Sequence, residues 1–155
     1  MHSLKPTSPS GALDEPANAA FTPLAGGSTP LVRVSVPRHL DDRQLKHIAD
    51  SIHESMVATF NVPADDRFQV FTRHAPDELV WAPTYLDIPH TPAIVFVQIT
   101  CNEGRTVEMK KALFARLASS IASGGAILPS DVIVSLVEVK KENWTFGNGL
   151  AQYAV

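Results

Sequence analysis

Residues 30–37 read Pro-Leu-Val-Arg-Val-Ser-Val-Pro, and this stretch decides the fold. Its valines alternate with Arg33 and Ser35, which gives the stretch one apolar and one polar face. A period of two is the pattern of a half-buried β-strand. Pro37 is expected to end the strand, because proline has no backbone N–H to donate to a neighbouring strand. The sequence therefore predicts a strand over residues 31–36.

The next segment has the pattern of an amphipathic helix, which is predicted from about Asp41 to Phe60. Its apolar residues recur three or four positions apart, as they do on the buried face of a helix. Asp41 is suited to cap the N-terminus, and Asn61 with Pro63 is expected to stop the helix. Phe68–Thr72 is predicted to be a second strand. The apolar stripe of the helix consists of Leu45, Ile48, Ile52, Met56 and Phe60.

The same order of elements recurs in the second half of the chain. Ala93–Thr100 is mostly apolar, as in a strand that is buried on both faces. Thr106 is a suitable N-cap for a helix that runs to about Ser123, where Gly124 and Gly125 are expected to end it. A last strand is predicted over Val132–Val139.

A short motif before the last strand of each half strengthens this repeat. Val62-Pro63-Ala64-Asp65 and Leu128-Pro129-Ser130-Asp131 occupy equivalent places, about 65 residues apart. Two such units predict an α+β fold made of α/β-type units, a tandem double βαβ with a four-stranded sheet and two helices on one face. Since such a sheet is covered on one side only, we expect its other face to be buried in an oligomer.

The first 29 residues differ in composition from the rest of the chain. Residues 1–29 are rich in Pro, Ser, Ala, Thr and Gly and contain few large apolar side chains. They are expected to form a disordered or loosely attached N-terminal tail before one domain of residues 30–155. Residues 75–92 combine several prolines with Trp81 and Tyr85, and we interpret them as an ordered loop because the aromatic rings need packing partners.

The composition excludes several classes of function. A net charge of −3 gives no reason to expect nucleic acid or an anionic membrane as a partner. The longest apolar run, residues 93–97, is far too short to span a bilayer, and the N-terminal residues lack the apolar core of a secretory signal. A cytoplasmic location is therefore expected. The single Cys101 excludes a multi-cysteine metal site, and His47 and His53 lack the spacing needed to share a metal, so no metal site is expected.

Four polar side chains are candidates for a binding or catalytic site. Arg105 lies between a strand and a helix N-terminus, where an arginine either binds a carboxylate or is simply solvated. Asp66 lies in a helix-to-strand turn, where aspartates commonly make local hydrogen bonds. Arg73 and His74 end the second strand. Arg73 has the pattern of a surface or interface charge, whereas His74 is expected near the pocket.

The second half carries the most specific pattern. Residues 102–106, Asn-Glu-Gly-Arg-Thr, followed by Glu-Met-Lys at 108–110, resemble the Glu-Gly-Arg-Ser/Thr-x-x-x-Lys run of 4-oxalocrotonate tautomerase. Residues 144–149, Trp-Thr-Phe-Gly-Asn-Gly, are similar to the aromatic-Gly-x-Gly segment near the C-terminus of that enzyme. The chain from Pro30 onward resembles the tautomerase superfamily, and with Asp-Arg-Phe-Gln-Val at 66–70 it looks more similar still to the malonate semialdehyde decarboxylase branch.

The resemblance implies a homotrimer with a small pocket at each proline. Each pocket would tautomerise or decarboxylate a small carboxylate-bearing substrate, and no metal or organic cofactor would be needed. By position, Pro30 would be the catalytic base, or the charged ammonium in decarboxylation. Asp66 would help to activate water, and Arg105 would bind the substrate carboxylate. Phe146 would form, with Trp144, an apolar wall that keeps the pKa of the proline low.

Two features of this chain depart from that pattern. The decarboxylase branch has two arginines nearly adjacent in the loop after the third strand, whereas this chain has Asn102 and then only Arg105. In addition, Pro30 follows Thr29, and an amide nitrogen cannot act as the base that a terminal proline provides. The sequence leaves open an enzyme, if Pro30 has a free amine, and a non-catalytic trimeric binding or interaction module, if it does not. Weak proline-independent chemistry by Arg105, Asp66 or His74 is a third possibility.

Overall fold

The computed structural model describes residues 30–154 of the 155-residue chain. The first half follows the predicted order of strand, helix and strand. It consists of β1 (Leu31–Pro37), α1 (Asp42–Phe60) and β2 (Phe68–His74).

The second half repeats this order after a loop that contains two short strands. These strands are β3 (Thr84–Tyr85) and β4 (Ile88–Pro89). The second half then consists of β5 (Val95–Asn102), α2 (Val107–Ala122) and β6 (Val132–Val139), with single 3-10 turns at Pro129–Asp131 and Lys141–Asn143.

The four long strands form one mixed sheet in the order β2-β1-β5-β6. The outer pairs, β1 with β2 and β5 with β6, are parallel, and the central pair β1 with β5 is antiparallel. Each parallel pair is joined through one helix, as parallel strands require. The predicted tandem double βαβ fold is therefore confirmed.

The hydrophobic core lies between the sheet and the two helices. The valines of β1 are buried, whereas Arg33 between them is exposed, so the predicted two-faced strand is confirmed. Both helices contribute to the same core and therefore cover the same face of the sheet. The core residues from the helices include Ile48, Ile52, Met56, Phe60, Leu113, Leu117 and Ile121.

The predicted helix caps are confirmed. The Asp41 carboxylate accepts from the Gln44 backbone N–H at 2.8 Å, and the Gln44 side chain accepts from the Asp41 N–H at 2.9 Å. This reciprocal capping box satisfies two donors at the start of α1. The Thr106 hydroxyl accepts from the Met109 N–H at 3.2 Å at the start of α2. Asn61 ends α1 in the left-handed conformation, with φ of 55°.

The bounds of three strands differ from the prediction. β1 includes Pro37, one residue beyond its predicted end. β2 continues to His74, because Pro37 and His74 still lie opposite each other in the ladder. β5 begins at Val95 rather than Ala93 and continues to Asn102. The Ala93 N–H donates to the Thr91 hydroxyl at 3.1 Å, so Ala93 belongs to a turn before the strand.

Some predictions extend beyond the described residues. The tail of residues 1–29 lies outside them, so its predicted disorder and the domain boundary stay predictions. No helix within residues 30–154 is both long and apolar enough to cross a membrane. The cytoplasmic location likewise stays a prediction.

Asp131 links the segments that precede the two strands of the second unit. It is fully buried, and its carboxylate accepts from the Thr91 backbone N–H at 2.8 Å and from the Thr91 hydroxyl. The segment before β5 is thereby fixed to the turn before β6. Asp65, its counterpart in the first unit, is exposed.

We expect Asp131→Ala to lower the free energy of unfolding by about 2 kcal/mol, because both Thr91 donors lose their acceptor in a poorly hydrated place. Asp65→Ala is the matched control and should change this free energy by less than about 0.5 kcal/mol. Urea unfolding followed by circular dichroism measures both. Equal losses in the two variants would contradict a structural role specific to Asp131.

Candidate active site

Three strand ends meet beside Pro30. Pro30 is buried and directly precedes β1, whose first residue Leu31 lies opposite Phe68 of β2 and Thr100 of β5. Because β2 is parallel and β5 antiparallel to β1, the starts of β1 and β2 and the end of β5 lie at the same end of the sheet. We call it the Pro30 end of the sheet, defined by Pro30, Phe68 and Asn102.

Arg105 lies just after β5 at the Pro30 end. It is half-buried, and its Nη1 donates to the Asn102 carbonyl oxygen at 3.0 Å. Its guanidinium carbon stands 4.8 Å from the centre of the Phe60 ring, a cation–π contact. Within residues 30–154 no carboxylate forms an ion pair with Arg105. The guanidinium is thus fixed in place and keeps donors for an anionic ligand.

The helix that follows the Arg105 loop is held by a carboxylate from β6. Glu138 forms an ion pair with Lys110 of α2. The hydrogen bond from Lys110 is the main cause of a lowered pKa at Glu138. The carboxylate therefore stays ionised at neutral pH, and this link weakens only as the pH falls through the lowered pKa.

Asn102 is a buried polar residue at the centre of the Pro30 end. It is 3% exposed, and its Oδ1 accepts from the Trp144 indole N–H at 2.7 Å. Its Nδ2 has no hydrogen-bond partner among the described residues. Asn102 also supplies the carbonyl that holds Arg105, so it positions both a cation and an aromatic ring.

Four aromatic rings form a cluster at the same end. Phe146 lies at its centre, stacked on Trp144 with ring centroids 5.3 Å apart. Tyr153 meets Phe146 edge-on at 5.3 Å, and Phe68 lies 5.9 Å away at a tilt. We call Phe68, Trp144, Phe146 and Tyr153 the aromatic cluster. It gives the Pro30 end an apolar surface beside Arg105.

Asp66 lies close to the Pro30 end in sequence and in space. It occupies the turn before β2, two residues ahead of Phe68, and is half-buried. Its backbone N–H donates to the Pro63 carbonyl oxygen at 3.0 Å. Five of the predicted candidates therefore lie at the Pro30 end of the sheet: Pro30, Asp66, Arg105, Trp144 and Phe146.

Arg73 and His74 lie at the opposite end of the sheet. Both stand at the end of β2, and Pro37 is the ladder partner of His74. His74 lies six positions along β2 from Phe68, which is about 20 Å. The expectation that His74 lies near the Pro30 pocket is therefore wrong within one chain. Arg73 forms an ion pair with Asp42 at 2.6 Å, in keeping with the surface or interface charge that its sequence pattern indicated.

The described residues include no cluster of three or more His, Cys, Asp or Glu side chains that could hold a metal ion. His53 is a buried structural residue whose Nε2 lies 2.7 Å from the Ala64 carbonyl oxygen. Burial raises the pKa of the Cys101 thiol, so this side chain is kept in the unreactive protonated form.

The sequence did not single out three residues of this site. Asn102 lies within the Asn-Glu-Gly-Arg-Thr motif, but the sequence does not pair it with Trp144, because their hydrogen bond joins segments 42 positions apart. Phe60 was assigned to the core stripe, and its contact with Arg105 is equally non-local. Tyr153 lies in a segment without regular periodicity, and no signal in the sequence could have found it.

We expect Trp144→Phe to lower the free energy of unfolding by about 1–2 kcal/mol, since the ring is kept but the buried Asn102 Oδ1 loses its donor. Trp81→Phe is the control, because no hydrogen bond of the Trp81 indole is found within residues 30–154. Urea unfolding of the two variants is the measurement. A loss for Trp144→Phe no larger than for Trp81→Phe would contradict the role of this hydrogen bond.

Comparisons with known proteins agree with this arrangement. Residues 30–87 match one family model described as tautomerase enzyme, and residues 66–147 match a second model with the same description. The probable tautomerase YusQ of Bacillus subtilis (strain 168) is 35% identical over 123 residues, which cover 79% of this chain and 97% of the relative.

Solved structures show the same similarity. FG41 malonate semialdehyde decarboxylase, solved in a form inhibited by 3-bromopropiolate, is 33% identical with a TM-score of 0.75, over 79% of this chain and 93% of that chain. A fused 4-OT solved as a symmetric trimer shares the fold, with a TM-score of 0.67 at 22% identity, over 80% of this chain and 98% of that chain. These matches span the whole double βαβ unit, and the chain belongs to the tautomerase superfamily.

Proposed function

We propose that this protein is a proline-dependent enzyme that tautomerises, or by related chemistry decarboxylates, a small carboxylate-bearing keto or enol compound. One observation carries the proposal: the buried Pro30 and the unpaired cation of Arg105 lie at the same end of the sheet, beside the aromatic cluster. The match to the tautomerase family model begins at residue 30, which supports a role for this proline. The likeness to the decarboxylase supports the second reaction.

The proposed reaction is a proton transfer between oxygen and carbon. In ketonisation, the free amine of Pro30 takes the proton of the enol O–H and returns a proton to the neighbouring carbon. The C=C bond becomes a C–C bond while the C–O bond becomes C=O, so that no atom is gained or lost. A secondary amine can do this when its charged and neutral forms are both accessible. An amide nitrogen cannot, because its lone pair is delocalised into the carbonyl.

Arg105 would hold the substrate carboxylate. A guanidinium matches a carboxylate with two parallel N–H donors, and the hydrogen bond to Asn102 fixes the direction of the side chain. The position directly before the N-cap Thr106 adds the backbone donors at the start of α2. Asp66 would contribute a carboxylate that orients water or substrate from the turn before β2.

The aromatic cluster would lower the proton affinity of Pro30. An apolar wall disfavours a charged ammonium by desolvation, and Phe146 with Phe68 supplies such a wall beside the start of β1. The same surface would exclude water from the bound enol.

We further propose a homotrimer, as in the fused 4-OT structure. The face of the sheet away from the helices is uncovered in one chain and mixes exposed apolar residues such as Val70 and Val137 with polar ones. It also carries an open depression of about 330 Å³. A second chain packed on this face would bury it. Residues that line the depression include Arg33, Ser35, Phe96, Gln98, Ile133 and Ser135.

A non-catalytic binding module is the second candidate, favoured by one observation. Thr29 precedes Pro30 in the sequence, so the intact chain has an amide where the reaction needs an amine. In that form the Pro30 end would still offer Arg105 and the aromatic cluster to a carboxylate ligand. The two candidates differ in the state of a single bond.

We expect a chain that begins Met-Pro30 to ketonise phenylenolpyruvate, since removal of the methionine leaves a free proline amine. The chain with all 155 residues should be inactive in the same ultraviolet assay. The matched control begins Met-Thr29, where methionine removal leaves Pro30 acylated by a single residue. If the chain that starts at Pro30 is inactive, or the one that starts at Thr29 is equally active, the proline mechanism is wrong for this substrate.

We expect Arg105→Ala, in the chain that starts at Pro30, to raise KM for phenylenolpyruvate by about 10- to 100-fold, since a charge-assisted hydrogen bond is lost. Inhibition by 3-bromopropiolate should slow in parallel. Arg116→Ala is the control, because Arg116 is exposed on α2 and forms no ion pair within residues 30–154. Unchanged KM and unchanged inhibition in Arg105→Ala would rule out the carboxylate role.

A further inference from the structure

The double βαβ fold has an approximate twofold symmetry that relates the two ends of its sheet. At the Pro30 end, the start of β1 lies beside the end of β5. At the other end, the end of β1 lies beside the start of β5, because the central pair is antiparallel. We call this opposite end of the sheet the His74 end, defined by Pro37, His74 and Val95. A pocket built like the first one is therefore expected there.

The structure has such a pocket at the His74 end. It has a volume of about 110 Å³ and is lined mainly by apolar surface. Arg38 and His39 enter from the segment after β1, and Trp81 and Pro92 enter from the loop between the two halves. An arginine after a central strand and a tryptophan from the segment after an outer strand thus recur at both ends. His74 completes the lining.

His74 gives this pocket an unused hydrogen-bonding group. Its Nε2 is shielded from bulk solvent and has no hydrogen-bond partner among the described residues. A buried polar atom of this kind is rare in native proteins unless a ligand or water satisfies it. The other ring nitrogen, Nδ1, faces the Glu78 carboxylate at 4.0 Å, which is too far for a hydrogen bond. Nε2 therefore has a hydrogen-bonding capacity that no described residue uses.

Among the described residues that line the pocket, Arg38 carries the one full charge, which favours an anionic ligand. Arg38 is exposed, and within residues 30–154 no carboxylate pairs with it. The nearby negative charge of Glu78 is held on the far side of the imidazole, where it also accepts from the Ala75 N–H at 3.0 Å. The Trp81 indole and Pro92 supply apolar contacts.

We propose that the His74 end binds a small monocarboxylate with a short apolar body. One carboxylate oxygen bonds Nε2 of His74, the charge faces Arg38, and the apolar part packs on Trp81. The volume of about 110 Å³ limits the apolar body of the ligand to less than the size of benzene, which a cavity of about 150 Å³ holds. This is a binding site without chemistry of its own: the proline here, Pro92, lies within the chain and has no free amine. The proposal does not depend on a catalytic role for Pro30.

Butyrate is a suitable probe, and the two tryptophans of the chain report the two ends separately. In ¹⁵N-labelled full-length protein, we expect butyrate to shift the indole signal of Trp81 in a saturable manner. Butyramide, which has the same shape without the charge, should bind several-fold more weakly. Arg105→Ala should leave the Trp81 response unchanged, because Arg105 lies at the Pro30 end.

His74→Phe should weaken butyrate binding about tenfold, as expected for one lost hydrogen bond to a charged ligand. His74→Gln should recover part of it, because the amide nitrogen can reach a similar position. Arg38→Ala changes an exposed residue and tests the charge without risk to folding; it should weaken butyrate but not butyramide. The proposal is overturned if Trp81 does not respond, if Arg105→Ala abolishes the response, or if His74→Phe and Arg38→Ala both bind butyrate as the parent protein does.

Discussion

The antiparallel pairing of β1 with β5 is the constraint on which the rest of the structure depends. It sets Leu31 opposite Thr100 and Ser35 opposite Phe96. As a result, the start of β1 lies beside the loop after β5, and Pro30 lies at the same end of the sheet as Arg105. A parallel pairing of β1 with β5 would place Pro30 and Arg105 at opposite ends of the sheet. The pairing also fuses the apolar faces of both units into one core under α1 and α2.

The fold was largely predictable because its signals are local. The alternation in β1, the apolar stripe of α1 and the caps Asp41 and Thr106 are read from neighbouring residues, and each agrees with the structure. The short hairpin in the connecting loop was not predicted. Its turn is formed by Leu86 and Asp87, whose positive φ values of 50° and 62° are usual for Asn-Gly rather than for leucine.

The candidate site was predictable only in part. Pro30, Asp66 and Arg105 could be placed together only through the resemblance to the tautomerase superfamily; the structure has all three next to strand ends at the Pro30 end of the sheet. The hydrogen bond between Trp144 and Asn102 and the contact between Arg105 and Phe60 depend on side-chain packing between distant segments, which no local pattern encodes. The prediction placed His74 at the wrong end of the sheet. His74 is the last residue of β2, and its pairing with Pro37 shows that β2 ends away from Pro30.

The catalytic proposal depends on the nitrogen of Pro30, for which the fold supplies a buried position, a nearby cation and an apolar wall. These features lower the proton affinity of an amine, but they give an amide no basicity. The most direct measurement is the intact mass of the protein isolated from the cells that produce it. The account predicts a polypeptide that begins at Pro30. A mass that includes Thr29 and the residues before it would contradict the proline mechanism.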